Sequence, residues 1–129
     1  MKIHHAVVIA AACGIAAGAG AVTGLKAQST PKAYIVTELD VIGNMDVFQR
    51  DYGAHVQATL EPYGGRYIVR AGRSVSVEGE PPRSRVVIAV FDSFDKARAW
   101  RDSPEYNKIY PVREREAKSR MYIVEGLPN

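Results

Sequence analysis

From residue 33 onward the apolar positions recur with two alternating periods. Ala33–Val41 (AYIVTELDV) is rich in β-branched and aromatic residues and holds no helix breaker, which predicts a strand. Ala33, Ile35, Thr37 and Leu39 share one face of it, and Tyr34, Val36, Glu38 and Asp40 the other. Met45, Phe48, Tyr52, Val56, Leu60 and Tyr63 then repeat at threes and fours, which predicts an amphipathic helix with Asn44 as its N-cap. Gly64-Gly65 ends it, because glycine tolerates the left-handed conformation that closes a helix. Arg66–Ala71 (RYIVRA) reads as a second strand, broken at Gly72 and continued over Ser74–Val77 after a bulge; Glu78–Pro82 is a loop.

Arg85–Phe91 (RVVIAVF) is an unbroken apolar run and predicts the third strand. Ser93 caps a second helix that turns Phe94, Ala97 and Trp100 inward. Ser103-Pro104 opens a further helical piece with Tyr106, Ile109 and Tyr110 facing the core. Pro111 is expected to kink or end that piece, since it lacks an N–H and crowds the preceding turn. A charged turn over Val112–Ala117 follows it. Arg120–Val124 (RMYIV) is the last strand, and Glu125–Asn129 a tail.

The order strand, helix, strand, strand, helix, strand, with right-handed crossovers, predicts an α+β ferredoxin-like βαββαβ sandwich. Its antiparallel four-stranded sheet has the order 4-1-3-2, with both helices on one face. The third strand is apolar on both sides: Val86, Ile88 and Val90 on one, Val87, Ala89 and Phe91 on the other. Helices cover one face only. The other calls for a second copy of the chain, making a homodimer through the sheet, or for the short tail folding back.

The chain before this domain reads as an address. Lys2 precedes an uncharged stretch from Ala6 to Leu25, mostly Ala, Gly and Val, and Lys26-Ala27 closes it. Residues 1–27 therefore read as a secretory signal peptide or an uncleaved anchor, and a periplasmic or secreted location is expected. The formal net charge of +3 includes Lys2 and Lys26, so the rest of the chain is at +1. A near-neutral domain gives no electrostatic reason to bind nucleic acid.

Four segments carry a resemblance. Ala33-Tyr34-Ile35-Val36, the run from Tyr63 to Gly72, Ser103-Pro104-Glu105-Tyr106 and Ile123-Val124-Glu125-Gly126 resemble the DUF1330 family, over residues 33–126. The resemblance implies a dimeric α+β barrel. Relatives by fold include cofactor-free antibiotic-biosynthesis-type monooxygenases, EthD-like proteins and stress-responsive barrel proteins, but the family supplies no established activity. The leader and Pro111 depart from its pattern.

Candidate chemistry is sparse. Cys13, in the leader, is the only cysteine, and His55 the only histidine beyond the leader, which argues against a zinc or haem site; no cofactor is expected. Gly64-Gly65 follows a helix and opens a strand, the reverse of a phosphate loop. His55 is a candidate general base in a pocket between helix and sheet, or a boundary residue of its helix. Arg66 and Arg70, four apart on one strand, are a candidate carboxylate clamp on one face, or partners in salt bridges. Tyr34, Tyr52, Tyr106 and Trp100 are candidates to line an aromatic pocket, or core residues. Arg113, Glu114, Arg115 and Glu116 alternate in sign and read as a solvated face. Two functions stay open: a dimer that binds a small aromatic or carboxylated molecule, and a cofactor-free monooxygenase- or isomerase-like enzyme on a small aromatic compound.

Overall fold

The structure, a computed structural model, describes residues 29–128. The leader with its two readings lies outside the described residues. Four strands form one antiparallel sheet: β1 (Ala33–Val41), β2 (Arg66–Arg70), β3 (Arg85–Phe91) and β4 (Ala117–Glu125). Their order is β2-β3-β1-β4, the arrangement that the element order predicts. Every pairing is antiparallel; Ile35 stands opposite Ala89 on β3 and Ile123 on β4.

The first helical stretch is a composite. It runs through α1 (Met45–Phe48), a π turn (Gln49–Gly53), α2 (Ala54–Leu60) and a 3-10 turn (Glu61–Tyr63). The Asn44 carboxamide caps it by accepting from the Val47 N–H at 3.0 Å. Gly64, at φ 73°, closes it in the left-handed conformation that the sequence called for. Gly65 is needed for a different reason: a Cβ there would lie 2.4 Å from Cε1 of Phe91.

Two helices follow β3. α3 (Phe94–Arg101) is capped by Ser93, whose Oγ accepts from the Lys96 N–H at 3.1 Å. α4 (Pro104–Glu116) is capped by Ser103, with Pro104 in its first turn. Of the two effects expected of Pro111, a kink or an end, the end does not occur. Pro111 sits on an exposed side of the helix, where the carbonyl it leaves without an N–H partner can reach water, and the helix continues to Glu116. The expected strand continuation over Ser74–Val77 is also absent. That stretch belongs to the loop between β2 and β3, with Val75 and Val77 82% and 93% exposed.

Among the described residues, all helices cover one face of the sheet. The core there is aromatic: Phe48, Phe91, Trp100 and Tyr106 pack with Ile35, Leu39, Val56 and Leu60. The opposite face carries Val36, Val86 and Ile88, all half-buried, and Tyr122 and Val124, exposed by nearly half. At one end of that face Glu38 is buried and paired with Arg120, and Arg83 from the loop reaches Asp40 at 3.0 Å.

Candidate functional site

A cavity of about 70 Å3 lies between the composite helix and the sheet. Ile35, Thr37 and Leu39 of β1 and Val87 and Ala89 of β3 form its floor. Phe48, Tyr52 and Val56 close it from the helix side, and Trp100 and Met121 from the end. The walls are mostly apolar, with polar groups at Gln49, Arg70 and Arg85. An aromatic ring alone fills a dry apolar cavity of about 150 Å3. Only part of a ring is therefore enclosed here, and the rest of a ligand must stand in the mouth.

The π turn shapes that mouth. The Ala54 N–H donates to the Gln49 carbonyl, five residues back, which widens the helix locally. The widened turn brings Gln49, Tyr52 and Gly53 to the cavity. The Gly53 carbonyl accepts from Arg70 Nη2 at 2.9 Å, while Arg70 Nη1 donates to Gln57 Oε1 at 3.2 Å. The Arg70 guanidinium also lies 4.9 Å from the centre of the Tyr67 ring. Ala71, next to it, has a positive φ of 54°, a conformation costly for a residue with a side chain, and it too lines the cavity.

Behind the cavity runs a buried polar chain. The hydroxyls of Tyr52 and Tyr106 are hydrogen-bonded at 3.2 Å. Arg113 Nη1 donates to the Tyr106 hydroxyl at 2.7 Å, and Nη2 to Ser119 Oγ at 2.8 Å. Trp100 Nε1 donates to Thr59 Oγ1 at 3.0 Å, so the indole is fixed as well. Burial pushes the Tyr52 phenol well above its ordinary range, and the Tyr67 phenol up to about 12. Both stay protonated at neutral pH. Burial works against the charge of Arg113, but Tyr106 and Tyr52 beside it outweigh this, and its pKa is raised.

Four expectations from the sequence need correction, those for His55, for the Arg66–Arg70 pair, for Arg113 and for Tyr34. His55 projects from the exposed side of α2 and does not line the cavity; it is one position away from Val56, and one position is about 100° around a helix. Arg66 and Arg70 do not share a face. Tyr67 stands opposite Ala89 and Val69 opposite Ile88, so Ile68 is an extra residue in a bulge. Arg66, opposite Val90, therefore points to the uncovered face, while Arg70, opposite Val87, points to the helices. Arg113 is not solvated: it is 3% exposed. Of the aromatic candidates, Tyr52 and Trp100 line the cavity and Tyr106 stands directly behind them, 4.3 Å from Trp100 between ring centres. Tyr34 is on the uncovered face, opposite Val90 and Val124. The lining residues Gln49, Arg85 and Met121 carried no recognisable signal in the sequence.

Among the described residues no cluster of His, Cys, Asp or Glu is placed to hold a metal, and no helix is long and apolar enough to cross a membrane. The fold and cavity define a ferredoxin-like α+β domain with a small site between its helices and its sheet. A family model described as a domain of unknown function, DUF1330, matches residues 32–127, and the chain belongs to that family.

Among solved structures, the chain is similar to the RPA0582 protein of unknown function from Rhodopseudomonas palustris, at 17% identity and a TM-score of 0.59, over 78% of this chain and 85% of that one. It is also similar to SnoaB, a cofactor-independent oxygenase from Streptomyces nogalater, at 16% identity and a TM-score of 0.55, over 78% of this chain and 97% of that one. At these identities the likeness concerns the fold. No curated protein matches the chain.

Proposed function

We propose that the chain is an exported, homodimeric α+β-barrel protein that holds a small aromatic molecule in the cavity between helix and sheet. The observation that carries the reading is the cavity itself. It has apolar walls, the neutral phenol of Tyr52 at its back and the cation Arg70 at its mouth. A ring carrying a hydroxyl or carboxylate meets an apolar surface at one end and polar donors at the other. The uncovered sheet face, with Val86, Ile88, Tyr122 and Val124 partly open to water, supports pairing with a second copy. The uncharged leader behind Lys2 supports export.

A second reading, a cofactor-free oxygenase or isomerase, has in its favour the likeness of fold to SnoaB and the phenol of Tyr52 in the cavity wall. Against it, the described lining includes no carboxylate and no histidine, and Tyr52 holds its proton. No group in that lining is suited to take a proton at neutral pH. Calorimetric titration with hydroquinone, alongside oxygen uptake, separates the two. Saturable heat without turnover, lost in Ala89→Leu, is the expected result. Oxygen uptake that disappears in Tyr52→Phe would establish the enzyme instead, and no saturable heat in either variant or parent would remove the site.

A further inference from the structure

A second cleft, of about 400 Å3, lies between α3, α4 and β4 on the far side of the buried polar chain. Of the residues lining the first cavity, only Met121 also lines this one. Its cations are Arg98, Arg101 and Arg113, and the described lining includes no acid. We propose that this cleft binds the carboxylate of a small aromatic acid.

Arg113 is the anchor. A buried guanidinium is stable only with partners that offset its lost hydration, and opposite charge is the strongest of these. Arg113 has none among the described residues. Its two Nη atoms donate to the neutral hydroxyls of Tyr106 and Ser119, and its Nε–H is buried without an acceptor. A carboxylate in the cleft supplies the missing charge.

Arg101 is held ready for the same ligand. Its guanidinium stacks 4.4 Å from the centre of the Tyr110 ring and 5.2 Å from that of Tyr106. Stacking fixes the plane of the fork and leaves its edge for a two-point contact with a carboxylate. No acidic side chain lies within salt-bridge distance of Arg101 among the described residues; its one side-chain hydrogen bond is to Asn107 Oδ1, at 3.4 Å. Arg98, at the rim, has among the described residues only an exposed pairing with Asp102 at 3.8 Å, which a ligand can outcompete. Phe94, Met121 and Ile123 supply the apolar flank that a ring needs.

The test uses benzoate as probe on the purified full chain, with benzamide as the neutral control. The readout is the set of arginine Nε–Hε resonances in proton–nitrogen correlation spectra. Benzoate is expected to shift the Arg101 and Arg113 signals saturably, and benzamide to leave them in place. Arg101→Gln and Arg98→Gln alter exposed or half-exposed positions, so both should fold. Arg101→Gln is expected to weaken benzoate binding roughly tenfold or more, as the loss of a two-point ionic contact does. Unchanged affinity in both variants would overturn the proposal, as would shifts confined to Arg70 and Arg85 or no saturation at all. Hydroquinone binding at the first cavity is measured separately, so either site can fail alone.

Discussion

The hydroxyl of Tyr106 stands 3.2 Å from that of Tyr52 and accepts a hydrogen bond from Arg113, which joins the back of the cavity to a buried cation. Tyr106→Phe removes the middle of this chain. Arg113 Nη1 and the Tyr52 hydroxyl would then each lose a buried partner, and the expected loss of stability is about 1–3 kcal/mol. Urea denaturation measures it. A loss within error would show that water replaces the hydroxyl.

The same burial sets the response to alkali. The Tyr67 phenol is raised to about 12 in the folded chain, against an ordinary value of 10.0 when unfolded. Below pH 10 both states keep the proton and the contribution is fully present. As pH climbs from 10 towards 12 the unfolded chain gives up its proton first, so stability falls. The shift corresponds to about 2–3 kcal/mol. Tyr67→Phe is expected to flatten the decline in melting temperature over that window, and an unaltered slope would assign the decline elsewhere.

The close packing of Gly65 on Phe91 makes a sharper test of the fold. In Gly65→Ala the new methyl would meet the ring edge at 2.4–2.5 Å, and Phe91, 1% exposed, has no room to turn aside. Overpacking of this kind costs about 1–3 kcal/mol. The corresponding change at Gly72, where an added Cβ meets nothing within 4 Å, serves as the control and should be close to neutral.

Pairing through the uncovered sheet face predicts that Ile88→Asp sediments as a single subunit while its circular dichroism matches the parent. A carboxylate there would be stripped of water in the pair and left without a partner. Single subunits in the parent chain as well would remove the homodimer.

Sequence and structure agree where the determinants are local. Caps at Asn44, Ser93 and Ser103, the left-handed Gly64 and the apolar run Arg85–Phe91 each specify their element within a few residues, and the element order then leaves few topologies. The site was harder to read because two departures from regular geometry decide it. The bulge at Ile68 changes the face of Arg70 relative to Arg66, and a strict two-residue alternation cannot show that. The π turn displaces Gln49 and Gly53 towards the cavity. Arg113 did leave a trace: Tyr106, Tyr110 and Arg113 fall at fours and threes along one helical stripe, and Tyr106 and Arg113 are its buried positions. The apparent break at Pro111 and the alternating charges of Arg113–Glu116 masked it.

Trp100 is the only tryptophan in the chain, and it lines the cavity with its indole held by Thr59. Its fluorescence therefore reports on the proposed ligand directly. Titration with hydroquinone is expected to quench it saturably, and Ala89→Leu, which fills the cavity floor, to abolish the saturable part. Quenching that rises linearly without saturation, equal in parent and variant, would be collisional and would contradict a binding site between the helix and the sheet.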